Sequence, residues 1–118
     1  MRRIALTAAL AAAVVLAVSA EAAAPPVGPL PMGPTQTIST AKGSLISIAL
    51  PSRAGKSWRV ARQYDARVVT EVTEADVGKT VVIVYRATGR GTTRVVYGLT
   101  RGETKKAYAS ATYAITVR

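Results

Sequence analysis

The chain has 118 residues, enough for one small domain. It contains no cysteine and no histidine, which excludes disulfides and removes the side chains most often used as nucleophile and general base near neutral pH. Sixteen lysines and arginines against six aspartates and glutamates give a formal net charge of +10. We therefore expect a protein that is not an enzyme, that carries no cofactor or metal, and whose partners are proteins or anions.

Residues 1–22 have the pattern of a secretory signal peptide. Arg2 and Arg3 precede an apolar run over residues 4–18, and small residues follow at cleavage spacing, with Ala20 and Ala22 as the two candidate cleavage residues. A membrane anchor is the alternative, but the apolar run is short for a span of roughly 20 residues. We expect a signal peptide helix that is removed, and a secreted or periplasmic product without a membrane span.

Residues 23–34 are rich in proline and glycine. The stretch APPVGPLPMGP at positions 24–34 contains five prolines, which disfavour both helix and regular strand pairing. A ligand for a proline-binding groove is one interpretation of this stretch. An extended leader or linker is the interpretation that we prefer for a secreted chain.

Residues 35–118 show the period-2 alternation and the glycine-rich turns that are typical of β-strands. The alternating runs lie at residues 36–40, 46–50, 58–61, 68–72, 81–85, 95–99 and 109–117. They predict an all-β fold, an antiparallel immunoglobulin-like β-sandwich of about seven strands. Trp58, Tyr85, Tyr97 and Tyr113 lie on these runs, and we expect them in the core.

Little in this domain points to catalysis or to metal binding. Lys56 and Ser57 are adjacent, so in an extended chain their side chains point to opposite faces, which disfavours a Ser–Lys catalytic pair. Glu71, Glu74 and Asp76 form an acidic cluster that could hold a cation. We interpret these carboxylates instead as the solvated end of a strand, and we expect no metal site.

Basic residues spread along several strands and one loop offer an alternative partner, an anionic polymer or lipid of the cell envelope. They are Arg59, Arg62, Arg67, Arg86, Arg94, Lys105 and Lys106. No aromatic residue is interleaved with them as a base-stacking platform requires, so nucleic acid is not expected.

Several stretches resemble the chagasin-like inhibitors of papain-type cysteine peptidases. Residues 47–52, SIALPS, resemble the strand that leads into the first inhibitory loop of that family, and Trp58 resembles the tryptophan that closes it. Residues 87–97 resemble the mid-chain strand pair, and residues 113–117, YAITV, resemble the last strand. The resemblance covers residues 38–117 and implies an immunoglobulin-like domain that occludes a peptidase cleft with three loops at one end.

The resemblance also implies which residues form those loops, although their sequences diverge from the family pattern. The first loop lacks the NPTTGY residues and is shorter, the second has one glycine, and the third has no Pro-Trp after its arginine. By position, the loops comprise Arg53, Ala54, Gly55, Lys56 and Ser57; Val77, Gly78 and Lys79; and Thr100, Arg101, Gly102 and Glu103.

Overall fold

The computed structural model describes residues 26–118, and these residues form strands and turns without any helix. The expected signal peptide and its cleavage residues, Ala20 and Ala22, lie outside the described residues. No helix long and apolar enough to cross a membrane occurs in residues 26–118.

Seven strands form the domain, one for each alternating run of the sequence. In chain order they are β1 (Thr35–Thr40), β2 (Leu45–Pro51), β3 (Ser57–Val60), β4 (Val69–Val77), β5 (Thr80–Ala87), β6 (Gly91–Thr100) and β7 (Ala109–Val117). They make a four-stranded sheet in the order β1-β7-β6-β3 and a three-stranded sheet in the order β2-β5-β4. The predicted all-β sandwich is confirmed.

The pairing departs from a wholly antiparallel arrangement at β1. This strand pairs with β7 in parallel, with Ile38 opposite Ile115. The other strand pairs in both sheets are antiparallel. The turn after β1 sends the chain into the other sheet, so β1 has no hairpin partner in its own sheet and closes on the last strand instead.

The core lies between the sheets and is centred on tyrosines. Tyr85 of β5 and Tyr97 of β6 are 0% and 2% exposed, and their hydroxyl oxygens lie 2.5 Å apart across the sandwich. The ring of Tyr113, also buried, meets the ring of Tyr97 edge to face at 6.3 Å. Trp58 was expected inside the core but is only partly buried and packs at its margin, because β3 is a short edge strand.

The proline-rich segment lies on the domain rather than away from it. The side chain of Val27 is buried, and it lies with Leu30 over Gly98 on the outer face of β6. Farther along, the hydroxyl of Ser110 donates to the carbonyl of Pro31 at 2.6 Å. Residues 26–34 form neither helix nor strand, as expected of a leader, but these contacts place them within the folded unit and not in a free linker before residue 35.

Candidate functional site

Three loops meet at one end of the sandwich. The first loop, residues 52–56, joins β2 to β3; the second loop, residues 78–79, joins β4 to β5; and the third loop, residues 101–108, joins β6 to β7. The amide of Ser52 donates to the carbonyl of Lys79 at 2.9 Å, which ties the first loop to the second. The ammonium of Lys56 lies 5.0 Å from the ring centroid of Tyr108, which joins the first loop to the third.

Local hydrogen bonds fix the shape of the first loop. The amide of Lys56 donates to the carbonyl of Arg53 at 3.1 Å, and Gly55 takes the positive φ of 73° that this tight turn requires. At the base of the loop, Nε1 of Trp58 donates to the carbonyl of Pro51 at 2.9 Å. The tryptophan therefore closes the base of the loop, and the turn bond restrains its tip.

The second loop is a two-residue hairpin turn, with Val77 opposite Thr80 and a positive φ of 65° at Gly78. Between it and the first loop lies a recess of about 470 Å³. The lining includes Arg53 and Lys56 from the first loop and Glu74 and Asp76 from β4. This flank of the loop end therefore presents both signs of charge.

Hydrogen bonds within the third loop fold its first half back on itself. The hydroxyl of Thr100 donates to the carbonyl of Gly102 at 2.6 Å, and the amide and hydroxyl of Thr104 both donate to the carbonyl of Arg101. The amide of Tyr108 donates to the carbonyl of Leu99 at 2.7 Å, where the loop returns to the sheet. These bonds make the loop a compact turn.

Arg59 and the leader anchor the third loop from the outer face of the sheet. Nε of Arg59 donates to the hydroxyl of Thr100 at 3.2 Å, and its Nη2 donates to the carbonyl of Thr104 at 2.8 Å. The amide of Gly28 donates to the carbonyl of Lys105 at 2.8 Å. The third loop is thus bonded to β3 and to the leader as well as to its own strands.

Most residues expected in the loops are brought together by the fold, but three do not lie in loops. Thr100 is the last residue of β6 and is 0% exposed, so it supports the third loop from beneath and cannot contact a partner. Val77 ends β4 and Ser57 begins β3, and both are exposed. The exposed tips are Arg53, Ala54, Gly55, Gly78, Lys79, Arg101, Gly102 and Glu103, with Lys56 half-buried beside them.

The third loop extends farther than the sequence indicated, and its far end contributes Tyr108. This ring is 41% exposed and has the charged groups of Lys56, Lys106 and Arg101 at 5.0, 5.0 and 5.8 Å from its centroid. The sequence shows no aromatic residue interleaved with the basic ones and so did not predict this cluster. Lys56 and Tyr108 come from different strand connections, and their contact forms only in the folded chain. The one local signal was the Lys105-Lys106 pair two positions before the tyrosine.

Three arginines expected to form a basic face make bonds within the fold: Arg59 of β3, and Arg62 and Arg67 of the connection from β3 to β4. Arg59 holds the third loop, and Arg62 donates to the carbonyls of Val27 and Gly28 at 3.1 Å each. Arg67 forms an ion pair with Asp65 at 3.1 Å, and that guanidinium lowers the pKa of the Asp65 carboxyl through a hydrogen bond. Arg59, Arg62 and Arg67 therefore bond to other parts of this chain, whereas Arg86 and Arg94 of the same predicted set are exposed on their strands.

The acidic cluster lies along β4 and not after it. Glu71 is opposite Tyr85 and Glu74 is opposite Ile83, so both share the inner face of the sheet at its open edge. Burial raises the pKa of the Glu71 carboxyl, and the charge of Glu74 raises it further. No group of three or more potential ligand side chains in residues 26–118 is placed to hold a metal ion.

Solved structures of other proteins share this architecture. The chain is similar to the cysteine protease inhibitor EhICP2 from Entamoeba histolytica, with a TM-score of 0.57 and 19% identity over 75% of this chain and 99% of the inhibitor. The fold is that of the chagasin-like cysteine protease inhibitors. Amebosin is similar at a TM-score of 0.50 and 20% identity, over 75% of this chain and 100% of amebosin. No family model matches the sequence, and no curated protein matches it significantly.

Proposed function

We propose that the protein inhibits papain-type cysteine peptidases by inserting its three loops into the active-site cleft. This proposal is supported by the contacts that join the three loops at one end of the sandwich. The fold of that sandwich is also found in a cysteine protease inhibitor. The chain performs no chemistry in this mechanism. Inhibition comes from the exclusion of substrate.

The loops suit this role because they are held in place before any partner arrives. At least one hydrogen bond restrains each loop. The bond from Trp58 to Pro51 restrains the first loop, and the bond from Ser52 to Lys79 restrains the second. The bond from Arg59 to Thr104 restrains the third loop. Each side chain ordered on binding costs about 0.5–1.5 kcal/mol. Loops that are already ordered avoid much of that cost, so more of the contact energy remains as affinity.

The test is a titration of the purified chain from residue 23 onward against a papain-type peptidase, with residual activity as the readout. We expect stoichiometric inhibition by the natural sequence. Replacement of Ala54 and Gly55 by two bulky residues should abolish it. The same replacement at Ala41 and Lys42, in the turn at the opposite end of the sandwich, is the matched control and should leave inhibition unchanged. Absence of inhibition at large molar excess of the natural sequence would overturn the proposal.

We also propose that the protein acts outside the cytoplasm, after removal of residues 1–22. The basic start, the apolar run and the small residues at Ala20 and Ala22 support this. N-terminal sequencing of the product from an expressing cell tests it, and a first residue at 21 or 23 is the expected result. Recovery of the uncleaved chain from the cytoplasm alone would contradict it.

A further inference from the structure

The third-loop side of the loop end carries an unusual concentration of positive charge around one aromatic ring. Lys56, Arg101 and Lys106 all lie within 6 Å of the Tyr108 ring centroid. We call these four residues the basic platform. Its cations come from two loops that are far apart in sequence, so the platform exists only in the folded chain.

No carboxylate of residues 26–118 forms an ion pair with a platform cation. Among residues 26–118 the ion pair within 4 Å joins Arg67 to Asp65, on another part of the surface. Glu103 belongs to the third loop, yet it forms no such pair with the platform cations in the described part of the chain. The negative face of the tyrosine ring offsets part of the repulsion between the cations, at about 0.5–1 kcal/mol for an exposed contact.

The platform is held by the same contacts that shape the loops. The hydrogen bond from the amide of Tyr108 to the carbonyl of Leu99 fixes the backbone that carries the ring. The hydrogen bond from the amide of Lys56 to the carbonyl of Arg53 fixes the backbone that carries the Lys56 ammonium. Three like charges that all lie within 6 Å of one ring centroid repel one another, because the screening length at ordinary salt is about 10 Å. An anionic group placed beside them relieves this repulsion, so the platform is prepared to receive carboxylates.

The flank between the first and second loops carries both signs of charge. There Glu74 and Asp76 of β4 line the recess beside Arg53 and Lys56, and Lys56 lies between this recess and the platform. A long polyanion that tracks across the loop end would meet these carboxylates after it leaves the platform. A folded protein with acidic residues on one wall of a cleft can place that wall against the platform and keep it away from the carboxylates of β4.

We propose that the basic platform binds Asp or Glu side chains on one rim of the active-site cleft of the target, so that the inhibited peptidases are those with an acidic rim. This proposal rests on the proposed function, since it names the class of peptidase that the loops select. The platform determines the orientation of the docked domain and its rate of association, because complementary charge raises on-rates more than it raises final affinity.

The experiment compares inhibition constants and association rates at 50 and 500 mM salt. The peptidases are a papain-type enzyme with acidic rim residues and its variant with those residues changed to the matching amides. The inhibitors are the natural chain from residue 23, the triple variant K56Q/R101Q/K106Q, and the control K42Q at the other end of the sandwich. Thermal unfolding of every variant verifies that it is folded.

We expect the triple variant to lose at least about 10-fold in association rate at low salt and to show a much weaker salt dependence. The amide variant of the peptidase should produce the same loss with the natural inhibitor and no additional loss with the triple variant. K42Q should behave as the natural chain does. Equal rates and equal salt dependence for the natural chain and the triple variant would overturn the inference while the inhibitor function stands.

A binding measurement on two immobilised polymers distinguishes a failure of the proposed peptidase inhibition from a failure of the proposed contact with an acidic rim. Retention of each chain is measured on immobilised polyglutamate and on a sulfated polysaccharide. If no peptidase is inhibited, yet the natural chain is retained on the polysaccharide and the triple variant is not, the platform binds a polymer and both proposals are overturned. If peptidases are inhibited and retention on the polysaccharide is weak for both chains, the result supports a protein rim as the partner.

Discussion

The amide of Gly28 donates a hydrogen bond of 2.8 Å to the carbonyl of Lys105. This bond joins the proline-rich leader to the third loop, two segments that lie on the same side of the four-stranded sheet. The leader is therefore a structural support for one of the three loops proposed to bind a peptidase. Cleavage of the signal peptide has to leave this segment intact for the third loop to keep its shape.

The docking of the leader over Gly98 predicts an unusual effect of alanine at that position. A Cβ atom there would lie 3.0 Å from Cγ1 of Val27 and 3.1 Å from Cδ2 of Leu30. In a strand, alanine is normally more stable than glycine by roughly 0.5–1 kcal/mol. We expect Gly98→Ala to destabilise the natural chain, because it displaces the leader.

Urea unfolding measures this effect, and a second background provides its control. In a chain that already carries Val27→Ala and Leu30→Ala, the space above Gly98 is open, so Gly98→Ala should be neutral or stabilising. An equal effect of the substitution in both backgrounds would show that the leader does not press on β6.

Arg59 should contribute more to stability than an exposed arginine on a neighbouring strand. Its two hydrogen bonds reach Thr100 and Thr104, and a hydrogen bond to a charged group is worth about 1.5–3 kcal/mol. We expect Arg59→Ala to lower the free energy of unfolding by about 1–3 kcal/mol and to speed hydrogen exchange in residues 101–108. The matched control is Arg94→Ala on β6, where the side chain is exposed. Equal effects of the two substitutions would contradict the anchoring role.

Alanine substitutions at Gly55 and Gly43 distinguish an effect on peptidase binding from an effect of backbone strain. Both have positive φ, 73° and 95°, and an added Cβ would meet open space at each. Alanine should therefore cost about 1–2 kcal/mol of stability at either position through backbone strain alone. Gly55→Ala should also weaken peptidase inhibition, whereas Gly43→Ala at the opposite end should not. Equal inhibition by the two variants would remove the first loop from the proposed site.

The hydroxyl pair of Tyr85 and Tyr97 should show strong coupling in a double-mutant cycle. Phenylalanine at either position leaves the other buried hydroxyl without its partner, which costs about 1–3 kcal/mol. The double variant removes both hydroxyls, so we expect it to be less destabilised than the sum of the two single variants. Chemical unfolding of the four chains measures the coupling, and additive effects would contradict a bond that joins the two sheets.

The same tyrosines should make the domain sensitive to alkaline pH. Burial raises the pKa values of Tyr85 and Tyr97 in the folded chain, and their mutual hydrogen bond raises that of Tyr97 further. The unfolded chain loses these protons first, near the ordinary pKa of about 10. Stability is therefore unchanged below that pH and falls above it, by up to about 1.4 kcal/mol per pH unit for each tyrosine.

Unfolding midpoints measured between pH 8 and pH 11 test this dependence. The double variant Tyr85→Phe/Tyr97→Phe should lose most of it, with a smaller contribution left from Tyr113, whose pKa burial also raises. An identical pH profile for the natural chain and the double variant would show that these hydroxyls do not control alkaline unfolding.

The strands and the turns between them follow from the amino-acid sequence alone. Ile46, Ile48 and Leu50 alternate with polar and small residues, and each of them is buried at 4% exposure or less. Glycine marks the turns at Gly43, Gly55 and Gly78, where φ is positive. These features are local, because side-chain direction in a strand depends on position parity and turn geometry depends on a few backbone angles.

The period-2 alternation of the sequence did not predict which side chains of β4 face inward. A register shift between Glu71 and Thr73 changes which residues face inward, and Val72 becomes 50% exposed. The alternation of Val68, Thr70 and Val72 could not reveal this irregularity, because a bulge depends on the partner strand as much as on its own sequence.

Which distant residues form the site depends on how the folded sheets pair and pack. Proline composition predicted an extended leader, but its contact with Lys105 depends on where the third loop lies across the sheet. The basic platform likewise joins Lys56 to Tyr108 through two separate strand connections. Composition and periodicity describe neighbours along the chain, whereas these contacts follow from how the sheets pair and pack, so only the folded chain reveals them.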